Sequence, residues 1–416
     1  MAAKGAARPG IFYGWFVVAG AFLVLFVGFG SAYAFAAFFE ALEAEFSASR
    51  ASISFVFSLA GFLYFSLGAA SGPVADRVGP RWLACAGLAI VGLGLIGASQ
   101  AATLWQVYLA YGLGVGIGVG MAYVPAVGAV QRWFVRRRGL ASGLAVSGTG
   151  LGTLAVPPLA ALLIDWGGWR SAYLALGVLA LTVGCAAALL IEASPDRRGL
   201  GPDGDAPAAP ATGPARRAGI GLAEAIKTRP FVLLYGGSFV LSLGLMIPFV
   251  HLVPYAQDAG LPRVTAVLIL SLIGVGSTGG RFLLAGVADR FGRIASLAAM
   301  FAGMTLMFLW WLVAGNAWQL GLFALIFGLC YGGFVALIPA VTADYFAGPN
   351  VSGIIGAQYT SVAVGTFAGP VLAGMAFDAW HSYTVPIAFS AVCSAVATLC
   401  ILALERPAEW RRRHAG

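Results

Sequence analysis

The chain has 416 residues, of which 60% are hydrophobic and 10% charged, against about 25% charged in a soluble globular domain. Water cannot solvate most of such a surface, so a soluble enzyme or binding module is excluded. The net charge of +8 would suggest nucleic acid in a soluble protein, but these arginines stand between apolar runs, where they act as topology signals.

A helix needs about 20 largely apolar residues to cross a bilayer. Runs of that kind occur at Tyr13 to Phe39, Ser52 to Ala75, Arg81 to Ser99, Leu104 to Val130, Leu140 to Ile164 and Ser171 to Ile191. Six more follow at Phe231 to Tyr255, Thr265 to Ala288, Ala295 to Val313, Trp318 to Ala343, Ser352 to Phe377 and Val385 to Leu404. None alternates apolar with polar residues as a membrane strand must, so the expected fold is all-α with twelve transmembrane helices. The stretch before Tyr13 is too short for a leader peptide and no small-residue cleavage pattern follows the first run, which is expected to stay as the first helix.

Between the sixth and seventh runs the chain turns rich in Pro, Gly, Asp and Arg, a composition that holds no packed domain. The expected organisation is a six-helix bundle over 1–192, a linker over 193–228 and a second bundle over 229–416. Of the 24 Lys and Arg residues, 20 fall on the side of both termini and the linker, and three (Arg50, Arg170, Arg263) on the other. That bias makes the first side cytoplasmic, and Arg281 is left inside a span. The five cysteines have no paired spacing and read as small buried residues.

The halves repeat with an offset of 213. Ala75-Asp76-Arg77 returns as Ala288-Asp289-Arg290, Gly152-Thr153 as Gly365-Thr366, Pro157 as Pro370 and Asp165 as Asp378. A single period over several helices implies a duplicated unit, hence two pseudosymmetric bundles.

The stretch Gly72-Pro73-Val74-Ala75-Asp76-Arg77-Val78-Gly79-Pro80-Arg81 resembles the cytoplasmic loop signature of the major facilitator superfamily, and the likeness covers essentially the whole chain. Its second copy, Gly286 to Arg293, departs by carrying Ala285 where the first glycine would stand. Tyr33 to Phe39 leading to Ser49-Arg50-Ala51, together with Arg132 to Gly143, resembles the monocarboxylate porter family and its bacterial relatives, including oxalate and formate exchangers. The resemblance implies a secondary transporter working by alternating access, and Asp76, Arg77, Arg81, Asp289, Arg290 and Arg293 as a cytoplasmic gate. Ordering of the loops is the simpler reading of the same six residues.

Arg281 carries the chemical argument. An arginine at mid-bilayer costs about 2.5–3.5 kcal/mol on insertion scales and faces a bundle interior or a cavity. Its partner is either a protein group, with helix carbonyls or Asp258 as candidates, or a substrate carboxylate, which a planar guanidinium grips with two parallel bonds. Position 68, which matches it in the first repeat, is Gly68, so one fixed charge suits a monoanion. The resemblance adds that oxalate exchangers carry a lysine in the eleventh helix, which this chain lacks, and that animal porters pair the arginine with an aspartate where Ser277 stands here. Their proton path therefore does not carry over unchanged.

Tyr33, Tyr123, Tyr331 and Tyr359 lie on the first, fourth, tenth and eleventh helices and are candidate cavity residues, each bringing an apolar wall and one hydroxyl. His251, between Pro248 and Pro254, is a candidate for anion binding or proton coupling, with Asp258 as a second coupling candidate. Glycines 112, 114, 116, 118 and 120 are expected to form one smooth face on the fourth helix.

The leading expectation is proton symport of a lactate- or pyruvate-like monocarboxylate by a monomer in the inner membrane, both termini cytoplasmic. It needs no cofactor, metal or nucleic acid. Alternatives are carboxylate exchange and multidrug-type efflux. An enzyme would need catalytic carboxylates or a metal cluster that the sequence does not offer.

Overall fold

A computed structural model describes residues 12–205, 220–346 and 351–413, and helices are the only regular secondary structure among them. The first helix is Gly14–Tyr33 continued by Phe35–Phe46, the second Arg50–Val78, the third Pro80–Ser99. The fourth runs from Leu104–Val107 through a wide turn at Tyr108–Leu113 into Gly114–Trp133. The seventh is Arg229–Leu245 with Ile247–Asp258, the eighth Arg263–Phe291, the ninth Arg293–Trp311, the tenth Ala317–Tyr345, the eleventh Val351–Trp380 and the twelfth Thr384–Leu402.

The fifth and sixth helices come from one apolar stretch, Leu140–Leu189, of 50 residues. As a single helix it would be about 75 Å long, more than twice the roughly 30 Å hydrocarbon core. Gly168 breaks it with φ 78° and ψ 168°. Before the break Val156 lies on Gly30 of the first helix, and after it Gly177 lies on Gly92 of the third. The 11 apolar helical stretches among the described residues therefore make twelve crossings.

Backbone conformation repeats with the sequence. The left-handed or positive-φ positions Gly79 and Gly292, Ser47 and Gly260, and Gly168 and His381 are each separated by 213 residues. Gly79 and Gly292, at φ 96° and 94°, turn the chain between the second and third and between the eighth and ninth helices, a conformation glycine reaches without a Cβ clash.

The halves meet where the second helix packs on the eleventh and the fifth on the eighth. Small residues set both contacts: a Cβ on Gly61 would lie 2.3 Å from Thr366, and one on Gly274 2.5 Å from the Gly150 carbonyl. Such close backbone approach substitutes for a hydrophobic drive that lipid does not supply.

The expected single glycine face on the fourth helix is corrected to two. Gly112, Gly116 and Gly120 meet Leu59, Ala60 and Leu67 of the second helix, whereas Gly114 and Gly118 meet Gly94 and Gly87 of the third. Glycines two residues apart point about 200° apart, and only every fourth residue shares a face. The five cysteines are free.

Lys4, Arg8, Arg216 and Arg217, counted in the charge bias, lie outside the described residues, as do the side chains of Asp76 and Asp289.

Candidate functional site

Arg281 stands ten residues from the end of the eighth helix, about 15 Å in from the side that bears the basic loops. It is 8% exposed and points into the protein, not lipid. Its Nη1 donates to the Val146 carbonyl of the fifth helix, in the opposite half, at 2.9 Å. Its Nε is buried with no hydrogen-bond partner among the described residues. Among the described residues no acid pairs with it.

The guanidinium lines a small cavity, whose wall also holds Tyr33, Tyr123, Tyr331 and Tyr359. All four tyrosines expected at a cavity are thus brought to one, from four helices and both halves. Tyr33 and Tyr331 set their hydroxyls 3.3 Å apart across the halves, and the Tyr33 ring stacks on Phe249 at 4.7 Å.

Counting residues from the basic end of each helix at about 1.5 Å per residue places the lining in layers. Arg281, Tyr123 and Tyr359 fall at about 12–15 Å, Phe29, Phe65 and Tyr331 at about 20–22 Å, and Tyr33 at about 28 Å. Sequence reasoning missed Phe29, Phe65 and Thr149, which also line the cavity. One phenylalanine among 28 carries no signal of its own, and only the helix arrangement selects these two and Phe334, which lines the cavity as well.

The end of the molecule away from the basic loops is closed by a charged cluster centred on Arg50. Sequence reading took Arg50 as a loop charge, but it opens the second helix and is buried. Its Nη1 and Nη2 donate to the two Asp258 oxygens at 2.6 and 2.9 Å, and Nη1 also to the Tyr383 hydroxyl at 2.7 Å. Glu43 accepts from Nε at 3.3 Å, and the guanidinium lies 3.9 Å over the Phe377 ring. Asp378 accepts from the backbone amides of Arg50 and Ala51 at 3.0 Å each, satisfying two of the amides a helix start leaves free.

Nearby, Arg263 donates to Asp165 at 3.1 Å, and Gln257 to Glu40 at 2.5 Å. Arg50 and Arg263 are 213 residues apart, as are Asp165 and Asp378, so each half contributes an arginine and an aspartate to the other's edge. The offset could have flagged this pairing from sequence, since both arginines and both acids obey it.

Two expectations are corrected here. Asp258, weighed as a partner of Arg281, is the partner of Arg50, because its place at the end of the seventh helix puts it a bundle's half-length from the cavity. His251 does not line the cavity. It is fully buried, in contact with Ser54 (3.1 Å), the Tyr383 hydroxyl (3.1 Å) and the Pro370 carbonyl (2.9 Å), and so ties the seventh helix to the second and eleventh beneath the seal.

On the basic side, Arg81 donates to Glu192 and to the Ile191 carbonyl within its own half, and Arg293 donates to Asp344 within the other. Arg198 also grips Glu192 and holds that carboxyl below the usual carboxylate range. Arg77 is exposed, and Arg290 lies beside the Phe291 ring. The described bonds of the motif arginines thus hold loops inside each half, whereas the cross-half bonds described above sit at the opposite end and around Arg281.

Comparison with known proteins agrees with this architecture. The family model described as Major Facilitator Superfamily matches residues 21–326 and 287–416. Monocarboxylate transporter 3 of Rattus norvegicus is 30% identical over 414 residues, covering 95% of this chain and 82% of its own. Monocarboxylate transporter 11 of Homo sapiens is 29% identical, covering 94% and 82%, and an MFS-type transporter of Aspergillus niger is 28% identical, covering 95% and 90%. A bacterial homologue of the human lysosomal transporter Spinster, in an inward-facing and unoccupied conformation, shares the fold with a TM-score of 0.69 at 16% identity over 95% of this chain and 98% of that one.

Proposed function

This chain belongs to the major facilitator superfamily, and we propose that it is a secondary transporter of a small monocarboxylate of the lactate or pyruvate kind, working by alternating access with proton symport. The observation that carries the reading is the single cation lining the central cavity, Arg281, with a buried Nε that has no hydrogen-bond partner among the described residues. A carboxylate supplies two acceptor oxygens to a guanidinium fork and removes the cost of the bare charge. Relatives named monocarboxylate transporters support the same substrate class.

The basic side is assigned to the cytoplasm of an inner membrane by the positive-inside rule, which makes this conformation one closed to the outside by the Arg50 cluster. The protein acts as a monomer, since each chain holds a complete cavity. Asp258, 40% exposed at its side chain, is the candidate coupling group on the outer side, where its two oxygens hold Arg50. The motif residues Asp76, Arg77, Arg81, Asp289, Arg290 and Arg293 then close the cytoplasmic side in the alternate state.

Uptake of labelled lactate and pyruvate into proteoliposomes, with and without an inward proton gradient, tests the proposal. Arg281→Ala and Arg281→Lys should lower apparent affinity by about 10- to 150-fold, as loss of charged hydrogen bonds worth about 1.5–3 kcal/mol implies. Transport by both variants equal to the parent's removes Arg281 from the site. The unpaired cation also favours a second reading, obligatory anion exchange, because a bare guanidinium resists the empty return step. Uptake driven by internal unlabelled anion and indifferent to the proton gradient would select it.

A further inference from the structure

We infer that the N-terminal half holds a site for one anionic phospholipid headgroup, between the start of the third helix and the end of the sixth, on the side that bears the basic loops. The site is separate from the central cavity, and the inference is independent of which anion is transported.

A cleft of about 330 Å³ opens there, lined by Arg81 and Trp82 of the third helix and by Glu192, Arg197 and Arg198 beyond the sixth. Three guanidiniums against one carboxylate leave the lining with an excess of positive charge. Two of these cations are held in place by the protein itself. Arg81 donates to the Ile191 carbonyl and to Glu192, and Arg198 donates twice to Glu192 while lying 3.4 Å over the Tyr13 ring. Each spends two N–H groups on these bonds, out of the five a guanidinium carries. Arg197 is exposed and makes no hydrogen bond or ion pair among the described residues. A phosphodiester brings one negative charge and acceptor oxygens, which suit the donors left over.

The surface beside the cleft separates a lipid from a soluble anion. Trp82 is 60% exposed and stands at the end of its helix, the level at which tryptophan sits among headgroups. From there exposed apolar side chains run towards the bilayer centre, Ala86 and Leu93 on the third helix and Leu189, Ala186 and Val183 on the sixth. The two helices touch beneath the cleft, with Cys185 Sγ 3.5 Å from the Cys85 carbonyl, so a headgroup rests above that contact and its acyl chains lie along the outer face. Basic pockets between helices on the cytoplasmic side are suited to anionic headgroups in this way. The duplicated half does not repeat the arrangement: 213 residues on from Arg81 and Trp82 stand Ile294 and Ala295. The arginine and the tryptophan are therefore not demanded by the fold that both halves share.

The test is native mass spectrometry of the full-length protein in detergent, titrated at constant ionic strength with dioleoylphosphatidylglycerol, with dioleoylphosphatidylcholine, and with the first lipid in the presence of millimolar inorganic phosphate. The first phosphatidylglycerol should bind at least about tenfold tighter than phosphatidylcholine, and Arg197→Gln should weaken it about fivefold. Trp82→Ala should weaken it about threefold through lost apolar contact. Arg411→Gln, an exposed position on the C-terminal helix, removes the same charge elsewhere and should leave affinity within about twofold. Arg197 and Trp82 are both exposed, and if either variant fails to fold the other decides.

Equal binding of the two lipids, or equal weakening by Arg197→Gln and Arg411→Gln, reduces the attraction to net charge and overturns the site. Displacement of phosphatidylglycerol by inorganic phosphate assigns the cleft to a soluble anion and overturns the lipid. Neither result touches the assignment of Arg281, which the transport assays decide.

Discussion

The seal around Arg50 offers a perturbation whose size can be worked out. Asp258→Asn keeps the side-chain volume and removes the charge that receives two guanidinium bonds at 2.6 and 2.9 Å. The Arg50 side chain is 10% exposed and that of Asp258 40%, so the pair lies between an exposed one, worth about 0–1 kcal/mol, and a buried one, whose disruption costs about 3–5 kcal/mol. About 2 kcal/mol is the expected loss, because Glu43, Tyr383 and Phe377 still contact Arg50. If the contact exists only in the closed form, the ratio of closed to open molecules falls about 30-fold, and a preference of about 100:1 drops to about 3:1.

Spin labels on Ala44→Cys and Ala259→Cys, both exposed at the sealed end, in a background with the five native cysteines replaced, report the separation of the halves directly. The parent should give one short distance, and Asp258→Asn and Arg50→Gln should each add a longer population of roughly a quarter. The double variant should add little to either single one, as expected for two residues in one interaction. Unchanged distance distributions in both single variants would refute the assignment of this cluster as a gate.

Two further outcomes follow from packing. His251→Gln should lower the melting temperature, since it disturbs contacts to Ser54, Tyr383 and the Pro370 carbonyl at about 1–3 kcal/mol. Ligand affinity should stay within about twofold because the residue is outside the cavity, and proton-driven accumulation that persists would assign it a structural role alone. Gly152→Ala should destabilise by about 1–3 kcal/mol, since the new Cβ would sit 2.4 Å from the Phe26 carbonyl. Gly128→Ala, with nothing within 4 Å, should be neutral or slightly stabilising, and thermal unfolding in detergent compares the two.

Membership of the membrane class, the number of crossings and the duplication were legible in the residues because each is a property of runs and offsets. Apolar length reports on crossings whatever the neighbours are, and a 213-residue offset survives as paired aspartates, prolines and positive-φ turns. Element ends were less legible. The second helix starts at Arg50, two residues earlier than the apolar run, since the local cap Ser49 accepts from the Ser52 amide and Asp378 of the eleventh helix accepts from the amides of Arg50 and Ala51, the latter a partner more than 300 positions away that no local pattern announces.

Arg281 and the four tyrosines could be named from sequence because a charge or a hydroxyl in hydrocarbon is costly and therefore conspicuous. The partners of charges could not. Asp258 belongs to Arg50 and His251 to a buried polar knot, and both assignments depend on which helices of opposite halves stand side by side at a given depth. Phenylalanines become a cavity wall only when helix crossings leave space beside them. Composition and periodicity decide what each helix must avoid, lipid for charges and water for apolar runs, whereas tertiary packing alone decides which groups converge, since hydrogen bonds and van der Waals contacts act over a few ångströms and the residues that make them here lie hundreds of positions apart.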